Sequence, residues 1–383
     1  MNWNWQQPDW PNFAWDKVRF AKAEERFLVE AGECIGAIKH LTSDDRNQLT
    51  VEAMSTEAVT TSEIEGEILD RASVQSSIRN QLGLGTDKKR IAPAEQGIAE
   101  MMVDLRQSFA APLSDEMLFA WHRMITSGRR DLKDIGRYRT GEEPMQVISR
   151  AVYAPKVHFE APPSSTVPAE MARFIEWFKH TAPDGVEPLP ALTRAGIAHF
   201  YFVSIHPFED GNGRIGRAIA EKALAQNLGY PTLMALAATI LIKRKAYYEA
   251  LEANNKQNEI TPWLSWFAAT SIEAQRRAIA LVEFSIDKTR LLDRLRDQLN
   301  ERQQKALLRV LREGPEGFEG GLSASKYIGM TGASAATATR DLADLVAKGA
   351  LLRGGERRHA RYHIAIPLRP IAAVTLNESG ALI

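Results

Sequence analysis

The chain has 383 residues, of which 44% are hydrophobic and 25% are charged, a composition typical of folded globular proteins and not of disordered chains. Its length exceeds one ordinary core and predicts two or three domains. Lysine plus arginine equals aspartate plus glutamate, 48 against 48, so any basic surface for nucleic acid or membrane must be local. A single cysteine excludes an internal disulfide. The start lacks a signal-peptide pattern and no apolar run approaches the ~20 residues of a membrane span, so we expect a cytoplasmic protein without membrane association.

The first fifteen residues contain four tryptophans: Trp3, Trp5, Trp10 and Trp15. Large rings bury much area at little entropic cost, so we expect an arm that packs onto the body of the protein. Helical spacing follows over Val18–Leu41, and a second helix should begin at Thr42 and close at Gly66, since glycine accepts a left-handed helix end. A third should run to about Gln81. We assign residues 1–92 to this N-terminal helical region.

Residues 93–285 are predicted to form a second, mainly helical domain. One segment departs from the helical pattern, and the alternation at about Met145–Phe159 predicts a β-hairpin, with Pro155 favouring an edge strand. Further helices are expected in this domain: Ala169–His180, Leu192–Ile205 and Ala218–Leu228.

Residues 286–383 contain three short helical patterns and a two-stranded pattern around Gly354-Gly355. The helices are expected at Glu301–Glu313, Ser323–Ile328 and Ala333–Lys348. Three helices followed by a hairpin are typical of a winged helix-turn-helix domain. The predicted fold class is therefore mainly α, with a hairpin inserted in the central domain and a C-terminal winged helix.

The segment from His206 to Arg217, HPFEDGNGRIGR, carries the chemistry. Gly211-Asn212-Gly213 allows successive backbone N–H groups to converge on a phosphate, and the helix that follows adds the positive end of its dipole. Arg214 and Arg217 are three residues apart, so both face the same side of that helix and can reach phosphate oxygens.

Two further side chains complete this segment. Asp210 offers the hard oxygen ligand that Mg²⁺ prefers, and His206 can accept a proton near neutral pH. A base, a metal-binding carboxylate, an anion site and two guanidinium groups within twelve residues indicate phosphoryl or nucleotidyl transfer.

The segment resembles the complete signature of the Fic family, H-P-F-x-D/E-G-N-G-R-x-x-R. The resemblance implies transfer of AMP from ATP to a Ser, Thr or Tyr hydroxyl of a target protein or of the chain itself. It implies a role for each position: His206 as general base, Phe208 as core anchor, Asp210 as Mg²⁺ ligand, Gly211, Asn212 and Gly213 as anion hole, Arg214 as phosphate ligand and Arg217 as γ-phosphate ligand.

Other parts of the chain resemble the same family. Related Doc-type kinases carry lysine at the position of Gly213, so glycine favours nucleotidyl transfer over phosphorylation. The predicted hairpin resembles the flap that holds the target segment by strand-like pairing. Tyr247-Tyr248 resembles the lining of the adenine pocket, although packing of a helix against the core accounts for the pair equally well.

Residues 61–66, TSEIEG, fit the inhibitory motif of the family, S/T-x-x-x-E-G/N, through Thr61, Glu65 and Gly66. A carboxylate paired with Arg217 would remove the partner of the γ-phosphate and repel the nucleotide. The alternative is that Glu65 is one solvated charge among its neighbours Glu63 and Glu67. In some relatives the inhibitory glutamate also supports removal of AMP, and the sequence leaves that activity open.

The C-terminal region admits two interpretations. Its third helix and hairpin carry polar and basic side chains suited to contact DNA: Thr337, Thr339, Arg340, Arg353, Arg357, Arg358, His359 and Arg361. The same features suit a protein-contact domain, and the resemblance implies a homodimer. A DNA-binding regulator that uses the Fic region as a nucleotide sensor is therefore the alternative to an enzyme.

Overall fold

The computed structural model describes residues 2–85, 91–148, 156–314, 318, 320–356, 359–367 and 371–383. These residues form fourteen α-helices and two two-stranded antiparallel sheets, which confirms the predicted mainly α class. They divide into two compact units, one of residues 1–33, 50–276 and 373–383, the other of residues 34–49 and 277–372. None of the helices in the described ranges is long and apolar enough to cross a membrane.

The N-terminal half of the chain folds into five helices. They are α1 (Lys17–Lys39), α2 (Ser43–Ile64), α3 (Arg71–Gln81), α4 (Pro93–Gln107) and α5 (Asp115–Ile125). Local capping explains several boundaries: Asp70 accepts from the backbone N–H of Ser73 at the start of α3 at 2.8 Å, and Gly66 ends the α2 segment with a φ of 90°. The three predicted N-terminal helices are confirmed.

The central part contains a hairpin and six helices. They are β1 (Gln146–Ile148), β2 (Val157–Glu160), α6 (Val167–His180), α7 (Ala191–Ile205), α8 (Asn212–Leu228), α9 (Leu236–Ile242), α10 (Arg244–Asn254) and α11 (Thr261–Arg294). In the antiparallel pair, Val147 lies opposite Phe159, as expected for the inserted hairpin. Pro155, predicted to mark an edge strand, lies outside the described residues. Helix α8 begins at Asn212, two residues before the start at about Arg214 expected for the helix after the loop and six before Ala218, so the glycine-rich segment opens directly into the helix.

Helix α7 is the centre of the first unit, because all of its residues except Val203 are buried. No side chain at Pro190 caps its first turn, and the buried carboxylate of Glu24 does so instead. Glu24 accepts from the backbone N–H groups of Leu192 and Thr193 at 2.9 and 2.7 Å. The far end of α7 leads into His206, so the helix that Glu24 of α1 caps also carries the candidate base.

The tryptophan-rich arm packs onto the first unit, as predicted. The indole N–H of Trp10 donates to Glu170 at 2.9 Å, and its ring meets Tyr201 edge to face at 5.2 Å. The indole N–H of Trp5 donates to the carbonyl of Glu160 at 2.7 Å, at the end of β2. The arm therefore anchors both the body of the unit and its hairpin.

The second unit contains α12 (Glu301–Leu311), α13 (Ala324–Thr331), α14 (Ala335–Ala347), β3 (Leu351–Gly354) and β4 (Arg361–Ile364). It has a core of its own, which includes Leu307, Tyr327, Leu342, Leu345 and Leu351. Three helices and a hairpin follow each other in the predicted order. Arg357 and Arg358 lie outside the described residues, and the winged-helix function and the three-part division of the chain stay predictions.

Candidate active site

The loop between α7 and α8 is held by its own side chains. Asn212 accepts from the backbone N–H of Phe208 at 2.9 Å and donates to its carbonyl at 2.8 Å, which closes the loop on itself. Phe208 is fully buried and stacks on His122, with ring centroids 4.2 Å apart. The side chain of Asn212 thus shapes the loop, while the backbone N–H of Gly211 donates to Oδ1 of Asp210 at 2.5 Å.

His206 has a left-handed backbone (φ 51°), and its ring Nδ1 lies 3.3 Å from the carbonyl of Val203. A carbonyl only accepts, so Nδ1 carries the proton and Nε2 has a free lone pair. Burial and the nearby positive charge of Arg139 lower the pKa of His206 to about 4. The imidazole is therefore neutral at neutral pH, as a general base requires.

The start of α8 is the predicted anion site. Gly211 is its N-cap with a φ of 82° and no side-chain capping bond, so the N–H groups of the first turn remain available to a ligand. A side chain at Gly211 would be strained by that φ, and its Cβ would lie 2.5 Å from Cδ1 of Ile125, which would have to move. A Cβ at Gly213 would lie 2.1 Å from Oε1 of Glu65. Glycine at both positions therefore allows the backbone itself to face the space in front of the first turn of α8.

Asp210 lies beside the anion site and is ionised. Burial acts against ionisation, but the positive charges of Arg214 and Arg129 keep the pKa of Asp210 below its ordinary value. Its Oδ2 accepts from Arg129 at 2.6 Å. Its Oδ1 accepts from the backbone N–H of Gly211 at 2.5 Å, and the side chain is 35% exposed. Among the residues that the structure describes, no three His, Cys, Asp or Glu side chains converge on one point. A carboxylate at the solvent edge, with phosphate oxygens and water as the other ligands, fits the preference of Mg²⁺.

Arg217 is nearly buried and is held by the N-terminal region. Its Nη2 lies 2.7 Å from Oε1 of Glu65. Its Nε donates to Oγ1 of Thr61 at 2.7 Å, and Nη2 also donates to the Thr61 carbonyl at 2.8 Å. The structure thus brings together the residues of the TSEIEG motif and the last arginine of the loop.

Arg214 is paired with a carboxylate that the sequence did not single out. Its Nη1 lies 2.6 Å from Oε2 of Glu67, and its Nη2 lies 3.7 Å from Oδ1 of Asp210. In the sequence analysis, Glu67 is named only as a charged neighbour of Glu65. It contacts an arginine that is 4% exposed, and the only available signal was its position two residues after Glu65.

The two tyrosines of α10 are separated by their burial. Tyr247 is 2% exposed, and its hydroxyl lies 2.9 Å from Nε2 of the buried His199. Tyr248 is 38% exposed and donates to the carbonyl of Ile64, at the end of α2, at 3.3 Å. Tyr247 therefore packs in the core, and Tyr248 is the one that borders solvent. A role of either in adenine binding stays a prediction.

Three further residues support the site without any signature in the sequence. Arg139 donates to the carbonyl of His206 at 2.8 Å. His122 accepts from the backbone N–H of Gly136 at 2.9 Å through Nδ1, so its Nε2 carries the proton and donates to the carbonyl of Asp210 at 3.2 Å. Arg129 bridges Asp210 and Asp131. These contacts orient the base and the carboxylate from a separate part of the chain.

Comparison with known families agrees with this geometry. Residues 112–224 match the family described as Fic/DOC, and residues 3–84 match a domain of unknown function (DUF4172). The chain contains a Fic/DOC domain, whose helices α7 and α8 carry the loop described above.

Relatives of this domain carry the name protein adenylyltransferase. The fic-1 protein of Caenorhabditis briggsae is 27% identical over 173 residues, which is 45% of this chain and 30% of that protein. The Fic protein of Drosophila mojavensis is 33% identical over 100 residues, which is 26% of this chain and 18% of that protein. The aligned part spans less than a third of the length of these relatives.

Solved structures show the same fold. A Fic family protein from Desulfovibrio desulfuricans superposes with a TM-score of 0.52 at 22% identity and covers 89% of this chain and 95% of its own. A Fic domain containing signaling protein from Bacteroides thetaiotaomicron gives a TM-score of 0.51 at 19% identity and covers 68% of this chain and 98% of its own. At these identities the likeness concerns the fold.

Proposed function

We propose that this chain is a protein adenylyltransferase held in an inhibited state, which transfers AMP from ATP to a Ser, Thr or Tyr hydroxyl of a target protein or of itself. The names of its relatives support the activity over the part of the chain that they match. The observation that carries the proposal is a complete loop for nucleotide transfer whose last arginine, Arg217, already holds Glu65 at 2.7 Å.

In the proposed reaction the phosphates lie against the N–H groups at the start of α8, with Arg217 at the γ-phosphate. Nε2 of His206 takes the proton of the target hydroxyl, whose oxygen forms a bond to the α-phosphorus. The bond from that phosphorus to the oxygen of the β-phosphate breaks, and pyrophosphate leaves. Asp210 would hold Mg²⁺, which neutralises phosphate charge when bound. The protein contributes mainly position and electrostatic complementarity.

Inhibition follows from charge. With Glu65 in place, a γ-phosphate would meet a carboxylate where it needs a guanidinium, so ATP would not adopt the productive pose. Arg217 is 4% exposed, which makes its partner matter more than in a surface ion pair. Removal of Glu65 leaves a buried cation that attracts the phosphate in its place.

The decisive test is incubation of the Glu65→Gly protein with α-labelled ATP and Mg²⁺. Loss of this nearly buried pair should change the free energy of productive ATP binding by at least about 1.4 kcal/mol, which corresponds to a tenfold change. AMP labelling should therefore rise by about tenfold or more over the wild type. Glu63→Gln, two residues earlier in the last turn of α2, is the charge-removing control and should label like the wild type. Labelling of the Glu65→Gly protein should vanish when His206→Ala is added.

Two results would contradict the proposal. Equal labelling of the wild type and the Glu65→Gly protein would reject the proposed inhibition, and labelling that survives His206→Ala would reject His206 as the base.

Salt-sensitive binding to a specific DNA duplex without any labelling would favour the nucleotide-sensing regulator. Loss of label from a pre-modified target would identify AMP removal, and mass spectrometry of a treated lysate would identify the target residue.

A further inference from the structure

We propose that Glu67 is a second inhibitory carboxylate, which occupies Arg214 and weakens binding of the inner phosphates of a nucleotide while Glu65 occupies Arg217. The inference rests on the proposed function in one respect, since it takes both arginines as phosphate ligands. It extends inhibition from one contact to two and concerns a residue outside the TSEIEG motif.

The contact of Glu67 with Arg214 is as close as the contact that carries the inhibition proposal. The Nη1–Oε2 distance is 2.6 Å, against 2.7 Å for Arg217 and Glu65. Both arginines are 4% exposed, whereas Glu67 and Glu65 are 35% and 28% exposed. Each pair thus joins a buried guanidinium to a carboxylate at the solvent edge, so a phosphate could replace the carboxylate without unfolding the site.

The backbone after α2 directs both carboxylates toward α8. Gly66 has a φ of 90°, and the N–H groups of Glu65 and Glu67 both donate to the carbonyl of Ser62, at 3.1 and 3.0 Å. This tight turn places two side chains, two residues apart, opposite two arginines that are three residues apart on one face of α8. A residue with a Cβ would be strained at Gly66, so the glycine serves both contacts.

The position of Arg214 assigns it to the inner phosphates. It lies in the first turn of α8, with Nη2 3.7 Å from the carboxylate of Asp210, whereas Arg217 lies one turn further along. Arg214 therefore meets phosphates that ATP and ADP share, and Arg217 meets the terminal phosphate that only ATP has. Two carboxylates next to Arg214 also leave less net positive charge for an incoming anion.

The test compares binding of ATP and ADP, each with Mg²⁺, to the wild type and to Glu67→Gln, Glu65→Gln and Glu63→Gln by calorimetry. Glutamine keeps the shape of the side chain and removes its charge. Glu67→Gln should tighten both nucleotides by about fivefold, Glu65→Gln should tighten ATP alone by about the same factor, and the control Glu63→Gln should change neither.

ADP affinity that Glu67→Gln leaves within twofold of the wild type, with an unchanged thermal unfolding midpoint, would overturn the inference. The readout is binding, so it does not depend on AMP transfer. Tighter ADP binding without labelling of the Glu65→Gly protein would leave the second contact standing and reject the adenylyltransferase. Labelling that depends on His206, together with an ADP affinity that Glu67→Gln does not change, would support the adenylyltransferase and reject the second inhibitory contact.

Discussion

At the scale of single residues, the surroundings of His206 suit the role of base that we propose for it. Its left-handed backbone is costly for a residue with a Cβ, and the carbonyl that this conformation exposes accepts from Arg139 at 2.8 Å. The same arginine contributes to the lowered pKa of the ring. One side chain thus stabilises an unfavourable backbone and adds to the effect of burial, which is the main reason that the pKa of the imidazole is lowered.

The pH profile of AMP transfer by the Glu65→Gly protein should reflect this environment. The pKa of His206 is lowered to about 4, so labelling should stay constant from about pH 8 down to about pH 5 and fall below that as the ring becomes protonated. In Arg139→Gln the lost positive charge lets the pKa rise toward its ordinary value, and the acid limb should move to higher pH. Initial labelling rates across pH measure both. An acid limb that stays in place in the double variant would contradict the role of Arg139.

Gly213 is constrained from two sides. It belongs to the predicted anion hole, and a Cβ there would lie 2.1 Å from the Glu65 carboxylate. A lysine, as in Doc-type kinases, could not coexist with Glu65 in its present position. Glycine at position 213 therefore leaves free the space that the carboxylate of Glu65 occupies.

At the scale of elements, the packing of α2 against α8 contains one buried and one half-buried carboxyl group, one turn from the contacts of Arg217 with Thr61 and Glu65. Glu57 precedes Thr61 on α2, and Glu221 follows Arg217 on α8. Both border a cavity of about 20 Å³ together with Arg106 of α4, which leaves room for one water molecule. Burial raises the pKa of Glu221 to about 7 and raises that of Glu57, which is also close to the charge of Glu221.

The contribution of these two carboxyl groups to stability should therefore fall as pH rises. A folded-state pKa above the unfolded value means that the folded protein binds more protons, so the contribution is complete below about pH 4.5 and is lost through about pH 7. At about 1.4 kcal/mol per pKa unit, the loss attributable to Glu221 is about 3 kcal/mol. The lowered pKa values of His122, His199 and His206 act in the opposite direction, so the difference between the wild type and Glu221→Gln isolates the effect. Chemical denaturation at several pH values should show a free-energy difference that falls as pH rises toward about 7. A difference that stays constant over this range would refute it.

At the scale of the whole molecule, each of the two compact units is built from separate stretches of the chain. Residues 34–49 belong to the second unit, residues 373–383 return to the first, and α11 runs without a break through the predicted boundary at residue 285. The returning segment is anchored by Val374, which is buried and whose N–H donates to the carboxylate of Glu273 at 3.2 Å. The last eleven residues are therefore part of the fold of the first unit.

Val374→Ala should destabilise the first unit by about 2 kcal/mol, because it removes two buried carbon atoms and leaves a space behind. The matched control is Val186→Ala, whose side chain is 79% exposed and should change the free energy of unfolding by less than about 0.5 kcal/mol. Denaturant unfolding of the two variants measures the difference. Equal effects would mean that the returning segment does not stabilise the unit.

The sequence by itself determined the features that depend on near neighbours along the chain. Helical spacing, capping residues and glycine punctuation predicted most helices and both hairpins. Twelve consecutive residues from His206 to Arg217 were sufficient to place a base, a carboxylate and an anion site in one loop. The contact of Glu65 with Arg217 followed only from resemblance, since nothing local connects residues so far apart.

Only the tertiary structure decided which distant charges complete the site. Glu67 and Arg214 are separated by 147 residues, Arg129 and Asp210 by 81, and Arg139 and His206 by 67. Sequence periodicity does not predict such pairs, because the neighbours of each residue along the chain are ordinary. The two partners come into contact only when the helices pack. The loop specifies what chemistry is available, and the packing of α2 against α8 places the carboxylates that occupy its two arginines, because charge acts through space and not along the chain.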